Sequence, residues 1–557
     1  MLWGGLRPIR RRFFLDVLTL LTLTYGIIIP AASNAHHAHA HAHAHAHAHD
    51  RHLHKSLLIL PCLVTLITAR FTHRWTISLP MIPIVLLQCT RYWLSHIGWA
   101  AFVIKILSLI FIAKSFLLTI LFPAVKISPA KGKYNVGIID LHIPVENFQH
   151  EHVTVRLLYP CVEKSERLPY FNVDTADAVC KLLIKIGAPP PLNKISFILD
   201  TWKLSTINAK RNATPLEHLS DQAEAEDVNT SNGVNAGNTS GAIASGESST
   251  FPIVVYSHGL TGSAELYSYQ TMSLAASGTV VMTIVHTDGS AIGVKRKDGS
   301  FMQYDDSIGK LSRNEETFVE HIRARRGQAD YRAKEFLSAA QALLKLNETN
   351  IEELEHVGIS FVNKLNTADV TAVGHSFGAA TALGAANRRP DLFKCMVAHD
   401  PAIDWAPDDC RRALLPKHRF QGSELDYKGG TAGYEFEAEA ETDAQTNASP
   451  SIHDLDLLFL YSDEWKRQGW GTSRFIQDLF KRGQLGLPNG PTDVGFIYNA
   501  HHSEFGDSCM LLPLWLARAT KVTGLRNPHE TSEEIFDRTL RFIQEVRKKR
   551  VLKEKKH

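Results

Sequence analysis

A serine between two glycines, where an apolar run gives way to small residues, has the makings of a nucleophile. The chain holds one in Thr371-Ala-Val-Gly-His-Ser-Phe-Gly-Ala-Ala-Thr381, with Gly374-x-Ser376-x-Gly378 following the strand-like run Asp369 to Val373. In a nucleophile elbow the serine sits on a sharp strand-to-helix turn that lifts its hydroxyl above the sheet. Glycines at 374 and 378 remove side chains that would collide in so tight a turn. The expected chemistry is attack of the Ser376 hydroxyl on an acyl carbon, which requires a base and a carboxylate.

Both are available downstream, in the order serine, acid, histidine that such enzymes use. Lys394-Cys-Met-Val-Ala-His-Asp400 reads as a short buried strand ending in a carboxylate, and Val494-Gly-Phe-Ile-Tyr-Asn-Ala500 as another ending in His501-His502. In an open parallel sheet, functional groups gather beyond the carboxyl ends of the strands. Ser376, Asp400 and one of the two histidines can therefore meet at one edge. The imidazole would take the serine proton and the carboxylate would hold the ring in one tautomer. Asp404, Asp408, Asp409, Asp463 and Glu464 are rivals for the acid, and the chain has 28 histidines. The residues themselves do not separate His501 from His502. Upstream, the strand Phe251-Pro-Ile-Val-Val-Tyr-Ser257 is broken at once by His258-Gly-Leu-Thr-Gly262. A backbone N–H of that loop, with the N–H of Phe377 after the nucleophile, is the expected oxyanion hole.

These stretches together resemble the platelet-activating factor acetylhydrolase family, the calcium-independent group VII-type phospholipases A2. The resemblance is carried by Val254-Val-Tyr-Ser-His-Gly-Leu260, Leu266-Tyr-Ser268, His286-Thr-Asp-Gly-Ser-Ala291, Gly374-His-Ser-Phe-Gly378 and His502-Ser-Glu-Phe-Gly-Asp507. It runs from about residue 125 to residue 545. It implies an α/β-hydrolase fold with a mainly parallel sheet flanked by helices. It also implies Ser376 as nucleophile, Asp400 as acid, His502 as base and an oxyanion pair from the backbone of Leu260 and Phe377, with neither metal nor cofactor. The implied substrate is a glycerophospholipid such as platelet-activating factor, cut at its sn-2 acetyl or short acyl ester. A generic membrane-bound carboxylesterase, or an inactive domain used for binding, is the alternative. Two departures bear on substrate choice: Ala379 stands where the family usually has a third glycine, and His399 and Pro401 flank the acid in place of Leu and Ala.

The rest of the chain concerns where that chemistry would be held. With 557 residues and 60 basic against 57 acidic side chains, there is no charge bias toward nucleic acid. Residues 1–125 are expected to form a membrane region with candidate segments 13–32, 56–69, 77–89 and 97–125. A spanning helix needs about 20 predominantly apolar residues, which favours the first and last segments. The first also has features of a signal peptide, with Arg7, Arg10, Arg11 and Arg12 before it and Ala31-Ala-Ser-Asn-Ala35 after it. Its length and the apolar segments that follow favour a retained anchor. The arginine cluster places the N-terminus in the cytosol by the positive-inside rule. Four spans would return the catalytic domain to that side, in keeping with Lys126, Lys131 and Lys133, whereas three would leave it in a lumen.

Within the first loop, His36-His37-Ala38 opens an alternating His/Ala tract that runs to His49, read as low-complexity sequence without metal-site spacing. Residues 126–557 are expected to form the catalytic domain, interrupted by polar, small-residue insertions at 208–250 and 422–451 that cannot bury enough apolar surface to pack. Asn-x-Ser/Thr triplets at Asn212, Asn229, Asn238, Asn347 and Asn447 would matter only in a secretory lumen. Seven scattered cysteines form no disulfide framework.

Overall fold

The structure is a computed structural model, and it describes residues 106, 110, 125–146, 148–186, 205–218, 250–312, 315–414, 452–488, 490–512, 514–519 and 521–554. Two compact units emerge: one comprises 1–126, 188–206 and 511–516, most of which lies outside the described residues, and the other 127–187, 207–510 and 517–557. The second carries the sheet and every candidate catalytic residue.

Its chain begins with β1 (Asn135–Pro144) and β2 (His152–Cys161), a long antiparallel pair, and β3 (Glu166–Pro169). Helix α1 (Val173–Ile186) leads to β4 (Thr206–Arg211), β5 (Phe251–Ser257), α2 (Ser268–Ala276) and β6 (Val280–Val285). A small hairpin, β7 (Gly293–Lys295) and β8 (Phe301–Gln303), precedes the long helix α3 (Phe318–Lys345). Then come β9 (Leu365–His375), α4 (Phe377–Arg388), β10 (Cys395–His399), β11 (Asp456–Ser462), α5 (Asp463–Gln468), β12 (Asp493–Ile497) and α6 (Pro528–Glu554).

Ten strands form one sheet in the order β12-β11-β10-β9-β5-β6-β2-β1-β4-β3. From β6 to β12 the pairings are parallel, while β2 runs antiparallel to both of its neighbours. This is the α/β-hydrolase arrangement expected from sequence. Parallel strands need crossovers and end up covered on both faces, so they read as continuous apolar runs. β6 (Val-Val-Met-Thr-Ile-Val) and β11 (Asp-Leu-Leu-Phe-Leu-Tyr-Ser) accordingly have every residue buried.

Alternation sorts these side chains between two layers. Ile253, Val255, Leu457 and Phe459 join one cluster with Ala333, Phe336 and Leu343 of α3 and with the small residues of α4. On the other face Leu460 meets Ile497, Phe505 and Ile535 of α6. The alanines of α4 (Ala379, Ala380, Ala382, Ala385, Ala386), all fully buried, let that helix lie close against the sheet behind the elbow.

Two sequence expectations need restating. Asn208 to Arg211 belong to β4, where Gly137 and Ile138 of β1 pair with Lys210 and Arg211, and Ala209, Ala213 and Leu216 are buried. The polar composition of 208–250 hid this start, because a short strand near the sheet edge needs only alternate apolar residues; the remainder, 219–249, and the insertion 422–451 lie outside the described residues. So do segments 13–32, 56–69 and 77–89, the His/Ala tract and nearly all of 97–125. Among the described residues no helix is long and apolar enough to cross a membrane.

Candidate active site

β9 ends at His375 and α4 begins at Phe377, leaving Ser376 alone to make the turn at φ 58° and ψ −121°. Such a conformation costs a non-glycine residue on the order of 1–3 kcal/mol and persists only where its surroundings enforce it. The flanking glycines are what make it fit. A Cβ on Gly374 would lie 2.2 Å from the Gly378 carbonyl oxygen, and one on Gly378 would lie 2.1 Å from the Ser257 carbonyl oxygen. The turn is further anchored to β10, since Ser376 N–H donates to His399 O at 2.8 Å and Ala402 N–H donates to Ser376 O at 3.1 Å.

The ring of His502 stands beside the serine, with Nε2 2.9 Å from Ser376 Oγ and Nδ1 3.0 Å from Asp400 Oδ2. Asp400 follows β10 directly, at φ 40°, and is fully buried. Its second oxygen, Oδ1, accepts the Ser462 N–H at 2.6 Å from the end of β11. Burial pushes the Asp400 carboxyl up, while the hydrogen bond and charge of His502 and the Ser462 donor pull it back.

The rival acids are engaged elsewhere. Asp408 pairs with Arg326 and Arg411, Asp409 with Arg388, and Asp463 with Arg467. Asp404 sits in the turn Ile403–Trp405, near Arg411 and Arg326, with its carboxyl pushed up by burial. Glu464 accepts the His502 backbone N–H at 2.9 Å instead of touching the ring. His501 points away, with Nδ1 3.0 Å from Lys521 O. Of the sequence candidates, the structure therefore brings together Ser376, Asp400 and His502.

The loop 258–262, expected to supply an oxyanion donor, runs against the serine. A Cβ on Gly259 would come within 3.2 Å of Ser376 Cβ and 3.0 Å of the Tyr267 hydroxyl. Amides around Leu260 are bonded: Gly259 N–H to Tyr267 Oη at 2.9 Å, Thr261 N–H to Ser290 O at 2.8 Å and Gly262 N–H to Gly259 O at 3.0 Å. Around Phe377, the Ser376 N–H has its acceptor on His399 and the Ala379 N–H donates to Ser376 O at 3.1 Å.

Several contributors were not singled out from sequence. Trp465 stacks on His502 at 4.4 Å between centroids and 12° between planes, and His375 covers the ring at 4.5 Å. Ser462 caps α5 through a bond from the Trp465 N–H at 3.2 Å, so one residue orients both the acid and the ring that backs the base. Glu504 accepts the His501 N–H at 2.6 Å and the Gly524 N–H at 2.9 Å, fixing the turn that carries His502. Tyr267 Oη also lies 2.8 Å from His375 Nδ1, linking the oxyanion loop to the elbow. Tyr267, His375 and Glu504 lie within stretches that carried the family resemblance, whereas Ser462 and Trp465 had no sequence signal. Ligand atoms of His375, Asp400 and His502 lie within 4.8 Å of one another. A metal there would have to break the bond between Asp400 and His502, so the chemistry of this set favours proton transfer. Among the described residues, Cys161, Cys395, Cys410 and Cys509 are buried free thiols.

Comparison with known proteins bears on these same segments. The family model for platelet-activating factor acetylhydrolase, isoform II, matches residues 228–406, and that for the prolyl oligopeptidase family matches 363–482. Both stretches include the elbow and Asp400, and both stop short of His502. The platelet-activating factor acetylhydrolase of Canis lupus familiaris is 30% identical over 175 residues, covering 30% of this chain and 39% of the relative. That of Bos taurus is 30% identical over 159 residues, 27% and 35% of the two chains. A putative phospholipase A2 of Schizosaccharomyces pombe is 29% identical over 146 residues, 23% and 33%. The matches thus span well under half the length of these relatives. Among solved structures, a ferulic acid esterase from Streptomyces cinnamoneus aligns over 75% of this chain and 92% of its own at 14% identity and a TM-score of 0.41, too loose a likeness to bear on function. The stretch matched by the family model, 228–406, contains Ser257, Ser376 and Asp400, and over part of its length the chain is similar to platelet-activating factor acetylhydrolases.

Proposed function

We propose that the protein is a serine hydrolase of carboxylic esters, with Ser376 as nucleophile, His502 as base and Asp400 as the acid that orients it. The observation that carries this reading is the continuous chain Ser376 Oγ, His502 Nε2, His502 Nδ1, Asp400 Oδ2 with links of 2.9 and 3.0 Å. His502 takes the serine proton as Oγ attacks the ester carbonyl, then returns it to the departing alcohol. Water, activated by the same ring, releases the acyl group from Ser376. The developing oxyanion is received by the N–H groups of Leu260 and Phe377, so no metal is needed at the carbonyl oxygen.

The substrate we assign is a glycerophospholipid cleaved at a short or acetyl sn-2 ester, as in platelet-activating factor. Support comes from the names of the relatives and from the motifs shared with them. A prolyl oligopeptidase match over 363–482 covers only elbow and acid, which ester and peptide hydrolases of this fold hold in common, so it does not favour a peptide substrate. A membrane tether through residues 1–125, with the catalytic domain on the cytosolic side, completes the proposal and rests on the apolar segments of the sequence.

Labelling with a fluorophosphonate tests the reaction class. Wild type should be labelled at one serine and should hydrolyse short-chain phospholipid in excess EDTA. Ser376→Ala should lose the label and on the order of 10³-fold or more in turnover. Retained labelling in that variant would end the assignment, and activity restored only by calcium would point to another hydrolase class.

A further inference from the structure

Beneath the oxyanion loop lies a second row of serine, imidazole and carboxylate that the reaction does not use. Ser257 Oγ is 2.8 Å from His286 Nε2, and His286 Nδ1 is 2.5 Å from Glu335 Oε2. Arg332 Nη2 donates to Ser257 Oγ at 3.2 Å and also to the carbonyl oxygen of His258. All four side chains are completely buried, so no substrate reaches this serine. They come from three separate places: the end of β5, the residue after β6, and α3.

The arginine fixes one bond of the row, and the ionisation of Glu335 sets the others. A guanidinium can only donate. Ser257 Oγ accepts from Arg332, and with Glu335 ionised it gives its own hydrogen to His286 Nε2. The imidazole then carries its proton on Nδ1 and donates to Glu335. That carboxylate also receives the Thr287 hydroxyl at 2.5 Å and the Thr287 N–H at 3.2 Å, so donors converge on it. Burial pushes the Glu335 carboxyl up to about 8, against the pull of the Thr287 donors and the Arg332 charge. A proton on Glu335 turns the ring's polarity round, and Ser257 Oγ, with two lone pairs, then accepts from both His286 and Arg332, so the row stays bonded in either state. His258 is fixed in the same manner, with Nδ1 donating to Gly259 O at 2.8 Å and Nε2 accepting the His286 N–H at 3.3 Å.

This row holds backbone that the reaction needs. Ser257 and His258 contribute the carbonyl oxygens against which Gly378 of the elbow helix packs, at 2.1 and 2.5 Å from the position of an added Cβ. Leu260 follows two residues later, and the Arg332 guanidinium lies 4.8 Å over the ring of Phe377, the other proposed donor residue. We propose that Arg332, Ser257, His286 and Glu335 form a buried positioning chain that fixes the oxyanion loop, so that the Leu260 N–H is aimed at the acyl oxygen before substrate arrives. The inference rests on the ester-hydrolase reading above. A donor held in place by such bonds stabilises the transition state without reorganisation, and a loosened one loses that advantage while ground-state binding is spared.

Ser257→Ala in the full chain tests it. It removes one oxygen at the end of a strand, while Glu335→Gln removes the ionisable group at the far end. Three quantities separate positioning from mere stability: kcat and KM on a soluble short-chain ester, Ki for a trifluoromethyl ketone that forms a hemiketal with Ser376, and Kd for an uncleavable ether analogue. The expected result is a fall in kcat of about 10- to 100-fold, below the ~10²–10³ lost when a donor is removed outright. The ketone should weaken by the same factor, with KM and ether binding changed less than about threefold. Unchanged ketone affinity, or wild-type kcat in folded protein, overturns the proposal. Should Ser257→Ala not fold, Ser257→Cys, with its weaker donor and acceptor, is judged by the same ratios. A Ser376→Ala control distinguishes the two layers of inference. If it stays active, the ester-hydrolase reading fails; if it is dead beside a wild-type-like Ser257→Ala, only the positioning chain fails.

Discussion

Replacing Asp400 by asparagine exchanges one oxygen for an NH₂ group, and the structure determines which one. Asp400 Oδ1 accepts the Ser462 N–H at 2.6 Å, a backbone donor that cannot turn away. The asparagine must keep its carbonyl oxygen there, since the opposite orientation would set NH₂ against N–H at hydrogen-bond distance. Its NH₂ group then faces His502 Nδ1, now 3.0 Å from the carboxylate, and forces that nitrogen to accept. The ring proton moves to Nε2, where it points at Ser376 Oγ and the base is lost. Wrong-tautomer variants of such triads lose about 10⁴-fold in turnover, equivalent to roughly 5 kcal/mol of transition-state stabilisation. The fold should not suffer, because burial disfavours the Asp400 charge and the substitution removes that charge. The assay is steady-state hydrolysis of a soluble short-chain ester, beside the thermal midpoint and with Asp404→Asn as comparison. A loss under tenfold at Asp400, or a crippling loss at Asp404 with Asp400 spared, would refute the assignment of the acid.

His502→Ala should be nearly as damaging as loss of Ser376, because triad members act as a unit, whereas His501→Ala, whose ring lies against the Lys521 carbonyl and away from Ser376, should keep most of its turnover; swapped outcomes would show the register to be off by one. Gly378→Ala places a Cβ against the Ser257 carbonyl oxygen, so it should cost about 1–3 kcal/mol in chemical denaturation as the strand end gives way, with an accompanying loss of turnover; an unaltered midpoint would contradict the close approach. Asp507, buried and bonded to Tyr170 and Tyr269, has its carboxyl pushed from 3.8 up to about 7, chiefly by burial. The folded state therefore holds a proton that the unfolded chain releases between those values, and stability falls as pH rises through that window, by on the order of 4 kcal/mol in all. Asp507→Asn should flatten this slope in urea titrations from pH 4 to 7, and an unchanged slope would show that Asp507 is ionised throughout. Membrane tethering through residues 1–125 predicts that the full chain stays in the pellet after an alkaline or high-salt wash, while a fragment starting near Val125 still cleaves soluble esters; release by salt alone would remove the anchor.

What could be read from sequence was whatever depends on neighbours along the chain. The elbow is such a feature: a buried parallel strand must be apolar, a strand-to-helix turn this tight must have glycine at 374 and 378, and the residue between them is therefore exposed to strain whatever else the fold does. The strand end at Ser257 and, within a residue, the one before Asp400 were legible for the same reason, and with them the order serine, acid, histidine, whereas the last strand stops at Ile497, short of the expected Ala500. The residues alone left the acid and the choice between His501 and His502 open, and the family resemblance selected Asp400 and His502. Tertiary structure shows why these two meet. Asp400 reaches the ring because β10 pairs in register with β11, which brings the Ser462 amide to its other oxygen. His502 faces Ser376 because Glu504 shapes its turn and Trp465 stacks behind it. Strand β4 was hidden in a polar stretch because a short strand near the sheet edge gains its stability from its neighbours, here β1 and β3, more than from its own composition. The buried row from Arg332 to Glu335 was beyond reach for the same physical reason: its members stand up to 78 positions apart, and only three-dimensional packing removes the water that would otherwise satisfy each of them separately.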